Sequence, residues 1–323
     1  MAQLCNPRVV DRRSWILLGV LASVWGASYL FIKVGLEDFS PAMVVFLRTL
    51  LAAIVLAPLA FQRGAMRGLR PLLWPIVLLA AMQVAAPFLL ISWGEEEISS
   101  SLAGILVASA PILTALLAVF IDHEERPTAA GGFGIAIGIV GVALLLGVDV
   151  GGDSAALVGG LAVVLASLGY ALGGFYLKAR FRQTQPIGVV TATMFASALL
   201  VLPVALVSFP SDAPGAGAIA AMTALGAGGT GLAFVIFYTL IADVGPAKAS
   251  IVAYIAPVFA VIYGVAFRDE AFTLGTLVGM ALILGGSWIA GQARAPAASE
   301  SVPRTAAGGP RRQAHPPAPE VAA

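Results

Sequence analysis

The sequence predicts an all-α membrane protein in which ten transmembrane helices form two inverted five-helix repeats. Of its 323 residues, 59% are hydrophobic and 11% are charged, and the mean hydropathy is +0.96. A soluble domain carries about 25% charged residues. Ten windows are long and apolar enough to cross a bilayer, and the second half of the chain repeats features of the first half. Together these observations predict the fold class.

A transmembrane helix needs about 20 predominantly apolar residues. Ten windows meet this requirement, at about 15–35, 41–61, 71–93, 99–121, 129–147, 155–177, 186–209, 217–240, 246–267 and 273–290. The connections between them are short and hold nearly all the charge, which leaves no room for a soluble domain. We expect residues 1–14 to form a cytoplasmic N-terminus. Residues 292–323 are rich in Ala, Pro and Arg, and we expect them to form a disordered cytoplasmic tail.

The distribution of Lys and Arg predicts the orientation, because cytoplasmic loops collect positive charge. With a cytoplasmic N-terminus, fifteen Lys and Arg residues lie on the inner side. Only Lys33 and Arg268 lie on the outer side, and Arg48 falls inside a span. Acidic residues, including Glu95, are expected in the outer loops. We therefore expect a multi-pass protein of a bacterial-type inner membrane with both termini in the cytoplasm, and no Asp or Glu inside any span.

The internal repeat is centred on Trp25-Gly-Ala-Ser-Tyr-Leu-Phe-Ile-Lys33, which has a looser copy at Tyr170 to Lys178. The shift places 15–147 and 155–290 in register as two repeats of five spans. An odd number of spans makes the second repeat enter the membrane in the opposite orientation. Such inverted repeats are typical of transporters, with the substrate site near the midplane between the halves. Identical residues recur at nearly one shift: Lys33 and Lys178 at 145, and Phe88 and Phe234, Pro111 and Pro257, and Glu124 and Glu270 at 146.

Aromatic and polar side chains at membrane depth are the candidates for substrate binding. Trp25 and Tyr29 are four residues apart, so they share a helical face with Ser28. Rings with a polar group suit a cavity wall that stacks on a substrate and offers a hydrogen bond. The alternative is packing against neighbouring helices, and an amide such as that of Gln83 could equally bond a helix or a solute. The predicted substrate-binding residues are Trp25, Ser28, Tyr29, Gln83, Tyr170 and Tyr254.

Two prolines and two charges complete the candidate set. Pro111 and Pro257 lie near the centres of the fourth and ninth windows, where each is predicted to kink its helix. Since both halves repeat the feature, we interpret them as hinge or gating residues, with simple shaping of a cavity as the alternative. Arg48 and Lys33 are charged candidates, because an intramembrane charge indicates function by default. The alternative to a functional role is snorkelling. In that case the side chain of Arg48 extends toward the acidic loop that precedes it, and that of Lys33 extends toward water at the membrane edge.

Several classes of function find no support in the sequence. His123 and His315 lie outside the windows, and the single cysteine, Cys5, precedes them all. No catalytic set, metal site or cofactor site can be assembled at one depth, so we expect no enzyme. A net charge of +1 gives no argument for nucleic acid. The expected partners are a small-molecule substrate and the lipid bilayer, in a monomer or homodimer, and proton coupling by a buried carboxylate is unsupported.

With these motifs, the chain resembles the ten-helix EamA family of the drug/metabolite transporter superfamily from about Ser14 to Gly291. The resemblance implies exporters or exchangers of amino acids, metabolites or drug-like solutes, with a central cavity lined mainly by helices one, three, four, six, eight and nine. Related four-helix multidrug transporters couple to protons through a glutamate in their first helix, which this chain lacks. The motifs that carry the resemblance are Trp25 to Lys33, Ser40-Pro41, Phe46-Leu47-Arg48, the pattern ending in Pro111, and Glu124-Glu125-Arg126, repeated more loosely by Pro257 and Glu270.

We therefore expect a transporter of small neutral or zwitterionic organic solutes that works by alternating access, with amino acids as the leading class. A weakly polar, aromatic cavity disfavours charged substrates. Efflux of amphipathic drugs or other metabolites is the alternative. A membrane enzyme, a lipid carrier and a channel are remote alternatives.

Overall fold

The computed structural model of the protein describes residues 11–121, 127–148 and 150–292. The regular elements in these ranges are helices. The predictions for most of the N-terminus and the C-terminal tail, and the Glu124-Glu125-Arg126 motif, fall on residues 1–10, 293–323 and 122–126, which lie outside the described residues.

Ten apolar helices fill the described ranges. Nine have at least 18 residues and are apolar enough to cross a membrane, and the tenth has 17 residues. A single helical turn, Pro246–Ala249, precedes the ninth helix. The prediction of an all-α fold with ten apolar helices is confirmed. The helices are α1 Arg12–Gly35, α2 Pro41–Gln62, α3 Arg70–Glu97, α4 Ser100–Ile121, α5 Ala129–Val148, α6 Ser154–Arg180, α7 Pro186–Val207, α8 Ala216–Val244, α9 Val252–Arg268 and α10 Leu274–Gln292.

Side-chain caps fix where several helices begin. Ser40 accepts a hydrogen bond from the backbone of Met43, and Pro41 occupies the first turn of α2, where its missing N–H costs nothing. Ser99 caps α4 in the same way through the backbone N–H of Leu102. Asp11 caps α1, and the hydrogen bonds with Ser14 lower the pKa of this exposed carboxyl below its ordinary value. Short polar residues between apolar runs therefore set the helix starts.

Glycines bring α5 and α10 into close contact. A Cβ atom built on Gly134 would lie 2.8 Å from the carbonyl oxygen of Gly286, and one on Gly286 would lie 2.6 Å from that of Gly134. No side chain fits at these distances, so the two backbones touch directly. Gly134 and Gly286 therefore serve packing between helices of one molecule.

Wide π-helical turns interrupt α3 at Ala81–Ala85 and α8 at Ala224–Leu232. Gln83 and Gly229, which are related by the repeat, lie in these two segments. In α8 the hydroxyl of Thr230 donates to the carbonyl oxygen of Leu225, five residues earlier, at 3.0 Å. Such π-segments change which side chains face a neighbouring helix and frequently occur at functional sites.

The two repeated prolines lie in different local structures. α4 breaks between Val107 and Ala110, just before Pro111. Pro111 has no N–H for the carbonyl of Val107, and that oxygen instead accepts from Ser167 at 3.4 Å, while Ser287 donates to Ala108 at 2.9 Å. Hydroxyl groups of α6 and α10 therefore donate hydrogen bonds to the backbone carbonyls at the break in α4.

α9, by contrast, remains one helix through Pro257. Its interruption lies earlier, where the turn Ser250–Ile251 separates Pro246–Ala249 from Val252. The repeat conserves the proline but not the position of the break.

The prediction that no Asp or Glu lies within a span is wrong. α3 continues to Glu97, beyond the expected end at residue 93, so Glu95 lies in its last turn and is 0% exposed. α8 likewise extends to include Asp243, which pairs with Arg13 at 3.6 Å. The end of α3 packs closely on α6, since a Cβ on Gly94 would lie 2.7 Å from the carbonyl oxygen of Gly159. The hydropathy of the sequence does not reveal that α6 packs on the end of α3.

Candidate functional site

A cavity of about 1150 Å³ lies between the helices. It is slightly larger than ordinary ligand pockets, which have volumes of about 300–1,000 Å³. All six helices implied by the resemblance contribute to its wall, together with α2, α7 and α10. Of the ten residues singled out from the sequence, Lys33 does not line this cavity. The nine that do are Trp25, Ser28, Tyr29, Arg48, Gln83, Pro111, Tyr170, Tyr254 and Pro257.

The cavity reaches one face of the membrane, here called the first face, where α1 begins and α10 ends. Thr184, between α6 and α7, and Gln292, at the end of α10, belong to its wall. At the opposite, second face, none of the described loop residues line it. The cavity is therefore approached from the first face.

Contacts between the two halves cover the second face. Glu270, after α9, accepts hydrogen bonds from the backbone and hydroxyl of both Ser100 and Ser101, at 2.5 to 2.9 Å. Burial alone would raise the pKa of Glu270, but these four hydrogen bonds lower it below its ordinary value. Arg268 also pairs with Glu37 at 2.6 Å. We call this group, Glu37, Ser100, Ser101, Arg268 and Glu270, the second-face closure.

Lys33 lies beside this closure. Its ammonium group donates to the carbonyl oxygens of Glu95 and of Ile98, the latter at 2.9 Å. These carbonyls end α3, where the helix dipole favours a cation. The side chain is half-buried and bonded to protein, instead of snorkelling to water as the alternative in the sequence analysis held.

The carboxylate of Glu95 has no hydrogen-bond partner among the described residues. It lies within electrostatic range of Lys33, Arg48 and Glu270. It does not line the cavity. Sequence reasoning placed it in a loop, and no signal in the apolar pattern distinguished it from its exposed neighbours Glu96 and Glu97.

Trp25 belongs to an aromatic cluster that forms part of the wall. Its ring centroid lies 5.2 Å from that of Phe237 and 6.2 Å from that of Phe234, which stacks on Tyr238 at 6.1 Å. Trp25 thus packs against α8 and also lines the cavity, and its role in substrate binding stays a prediction. The three α8 rings line the cavity as well. They were missed, although their spacing of three and four residues on one helical face was a usable signal.

Ser28 and Tyr29 are held by close approaches between helices. The Ser28 hydroxyl donates to Val24 at 3.2 Å and faces Gly229, whose Cβ would lie 3.0 Å from it. Tyr29 lies against Gly104 of α4, whose Cβ would be 3.2 Å from the ring. Small residues on α4 and α8 therefore leave room for these side chains at the cavity wall.

Gln83, Tyr170 and Tyr254 occupy other parts of the wall. The side chain of Gln83 packs on Gly173 of α6, one turn beyond Tyr170. Tyr254 donates to the carbonyl oxygen of Ser287 at 3.4 Å, and its ring meets the edge of Trp288 at 5.6 Å between centroids. The structure therefore brings together side chains from both halves that are far apart in sequence.

Arg48 is the only charged residue among the described residues that line the cavity. Its Nε donates to the Thr230 hydroxyl at 2.9 Å, and its Cζ lies 3.7 Å from the ring centroid of Phe88. It does not snorkel to the preceding loop. There Glu37 pairs with Arg268, and Asp38 accepts from the backbone of Gly215 at 2.8 Å. No pattern in the sequence indicated that Thr230 and Phe88 would contact Arg48.

The cavity wall offers aromatic faces, hydroxyls, two amides and, among the described residues, one guanidinium. Within the described ranges, no group of three or more His, Cys, Asp or Glu residues could hold a metal ion. These groups suit reversible binding of a small amphipathic solute.

Known proteins resemble this chain over most of its length. A 28% identical relative over 263 residues, 79% of this chain and 83% of its own, is "Uncharacterized inner membrane transporter YedA" of Escherichia coli K12. Another, 28% identical over 280 residues, 86% of this chain and 92% of its own, is "Probable terminal-alkyne amino-acid exporter" of Streptantibioticus cattleyicolor. A third, "Probable amino-acid metabolite efflux pump" of E. coli K12, is 25% identical over 203 residues, 63% of this chain and 66% of its own.

One solved crystal structure has the same fold, with a TM-score of 0.62 and 21% sequence identity over 86% of this chain and 97% of that chain. The model of the EamA-like transporter family matches this chain twice, over residues 13–147 and 157–292. The double match confirms the two-repeat architecture, and the relatives are transporters by name and not enzymes. The chain therefore belongs to the EamA-like transporter family and is a multi-pass membrane transporter.

Proposed function

We propose that this protein exports or exchanges small zwitterionic organic solutes, with amino acids as the leading class, by alternating access across a bacterial inner membrane. The observation that carries the proposal is the amphipathic cavity, which reaches the first face and ends below a closed second face. A transporter that alternates between its faces must close one of them while the site is open to the other.

The chemistry of the wall supports this solute class. Rings from Trp25, Tyr29, Tyr170 and Tyr254 provide apolar surface with polar groups at the edge. Two relatives carry amino-acid exporter or amino-acid metabolite efflux in their names. Export of amphipathic cations is less well supported, since no acidic residue is among the described residues of the wall.

The first face corresponds to the cytoplasm in this proposal. The positive-charge rule supports that orientation, because the termini, loops and helix ends on this side hold fifteen of the 18 Lys and Arg residues in the sequence. The cavity is then open to the cytoplasm, and the second-face closure seals the outside.

Counterflow in liposomes tests the function directly. Purified protein is reconstituted with unlabelled L-leucine, L-phenylalanine or L-threonine inside, and uptake of the same labelled amino acid is followed. Saturable uptake that requires the internal amino acid is expected, with protein-free liposomes as the control. If none of the three shows counterflow, while lipophilic cations are extruded, the drug-efflux alternative replaces the proposal.

A further inference from the structure

We propose that Arg48 binds a carboxylate group of the transported solute, so that the solutes of this transporter carry one carboxylate. The inference rests on the proposed function, because it assigns a chemical class to the ligand of the same cavity.

The charge of Arg48 has no counter-charge in direct contact. Among the described residues, Arg48 forms no ion pair. A cation in a low-dielectric site is costly unless it is paired and hydrogen-bonded. A ligand that brings a negative charge into the cavity supplies the missing pair.

The side chain is oriented by two neutral groups. The Thr230 hydroxyl accepts from Nε at 2.9 Å, and the Phe88 ring lies under the guanidinium plane, 3.7 Å from Cζ to the ring centroid. Thr230 in turn donates to Leu225, so its oxygen is fixed as an acceptor toward Arg48. The contacts hold the guanidinium in place, but they do not neutralise it.

The two terminal nitrogens of Arg48 remain for a ligand. A guanidinium has five N–H donors, and Thr230 uses only the one on Nε. No hydrogen bond joins the terminal nitrogens to a described residue. Their parallel N–H groups match the two oxygens of a carboxylate, which is the usual bidentate partner of arginine.

Other ionisable groups in this region do not supply that partner. Tyr29, Tyr170 and Glu95 are within electrostatic range of Arg48. Glu95 is fully buried outside the cavity wall, and its oxygens accept no hydrogen bond from a described residue. Lys33 adds a second positive charge near Glu95. Glu270 also lies within electrostatic range of Glu95, but its carboxylate is bonded to Ser100 and Ser101. Neither carboxylate forms an ion pair with Arg48, so its terminal nitrogens still lack an anionic partner among the described residues.

The single positive charge of the described cavity wall also indicates which charge the bound anion should carry. Arg48 is the single charged group among the described wall residues, so a singly charged carboxylate balances it. A phosphate monoester carries about −1.5 to −2 at pH 7 and would remain undercompensated here. In a zwitterionic solute, the ammonium group can meet the aromatic cluster around Trp25, since ring faces attract cations.

Matched acid and amide ligands test the proposal on the unaltered protein. L-leucine is compared with L-leucinamide, and 4-methylpentanoate with 4-methylpentanamide, as ligands that raise the thermal unfolding midpoint and as competitors of labelled L-leucine in counterflow. Both acids are expected to act at concentrations at least about tenfold below their amides, which corresponds to the loss of a charge-assisted hydrogen bond. The second pair lacks the ammonium group, so it isolates the carboxylate.

Variants then attribute the preference to Arg48. Arg48→Gln should abolish the difference between acid and amide, and Arg48→Lys should keep part of it, because lysine offers the charge without the planar fork. Thr230→Val should reduce the preference by releasing Nε. Thr239→Val is the matched control: its hydroxyl donates to Val235 at 2.8 Å in the same helix, it does not line the cavity, and the preference should be unchanged.

The outcomes separate this inference from the proposed function. Leucine counterflow that leucinamide inhibits equally well would support amino-acid transport and overturn the role of Arg48. Binding of 4-methylpentanoate in preference to its amide, without counterflow of any amino acid, would support Arg48 and overturn the amino-acid proposal. Binding of neither acid overturns both. If Arg48→Gln does not fold, the ligand pairs on the unaltered protein decide alone.

Discussion

The carboxylate of Glu270 in the second half of the chain caps the start of α4 in the first half, where it accepts hydrogen bonds from the backbone N–H and the hydroxyl of Ser101 at 2.9 and 2.5 Å. A helix N-terminus favours a negative charge. The two repeats are therefore joined at the second face by a polar contact that a conformational change can break.

Glu270→Gln is expected to weaken this closure. The folded pKa of Glu270 lies below its ordinary value of 4.5, so the carboxylate stabilises the fold above that pH, and the contribution is lost as the pH falls through the folded pKa. The thermal midpoint of the unaltered protein in detergent should fall between pH 5 and pH 3 more steeply than that of Glu270→Gln. Asp269→Asn is the control, because asparagine tolerates the φ of 52° at this position. Equal pH profiles for Glu270→Gln and the unaltered protein would contradict the role of the carboxylate.

Trp25→Ala and Tyr29→Ala are expected to weaken transport more than folding. Each ring lines the cavity, and losing one aromatic contact worth about 1.4 kcal/mol raises the half-saturation concentration about tenfold. Counterflow measures the effect, and monodisperse yield after purification measures folding. Trp74→Ala is the control, since Trp74 is 79% exposed. A collapse of yield with Trp25→Ala would show that its packing on Phe237 dominates.

Single cysteines are expected to react according to membrane face. In a Cys5→Ser background, Thr184→Cys lines the part of the cavity that reaches the first face, whereas Ser101→Cys is 3% exposed within the closure. A membrane-impermeant thiol reagent added on both sides of the membrane should label Thr184→Cys and leave Ser101→Cys unlabelled. Asp212→Cys, in the exposed loop after α7, serves as the positive control for the second face. Rapid labelling of Ser101→Cys without solute would mean that the second face is open at rest.

Gly134→Leu is expected to prevent correct assembly of α5 and α10. A Cβ at this position already meets the backbone nitrogen of Ala290 at 2.7 Å and the oxygen of Gly286 at 2.8 Å, and backbone atoms cannot move aside as a flexible side chain can. Size-exclusion chromatography should show loss of the monodisperse protein. Gly147→Leu, in the same helix with no atom within 4 Å of its Cβ, should purify normally. Normal behaviour of both variants would contradict the direct backbone contact between α5 and α10.

Much of the fold could be predicted because it depends on local composition. A run of about 20 apolar residues crosses a bilayer whatever the rest of the chain does, since backbone polar groups in lipid must be satisfied within the helix. The repeat could be recognised for the same reason. Pro111 and Pro257 are separated by the same number of residues as Phe88 and Phe234, and this separation is a property of the chain and not of its packing. The polar and aromatic side chains at membrane depth pointed to the cavity wall because leaving them in lipid is costly.

The remaining features depend on which distant segments meet. Glu95 and Glu97 are two residues apart in one acidic run, yet Glu95 is buried and Glu97 is exposed, because only one side of the last turn of α3 faces protein. Arg48 is a lone charge in the sequence, and its orientation comes from Thr230, which lies 182 residues away. Apolar runs and repeat spacing thus predict the helices and their number. The partners of each intramembrane charge arise from contacts between helices, because burial and hydrogen bonding are properties of neighbours in space.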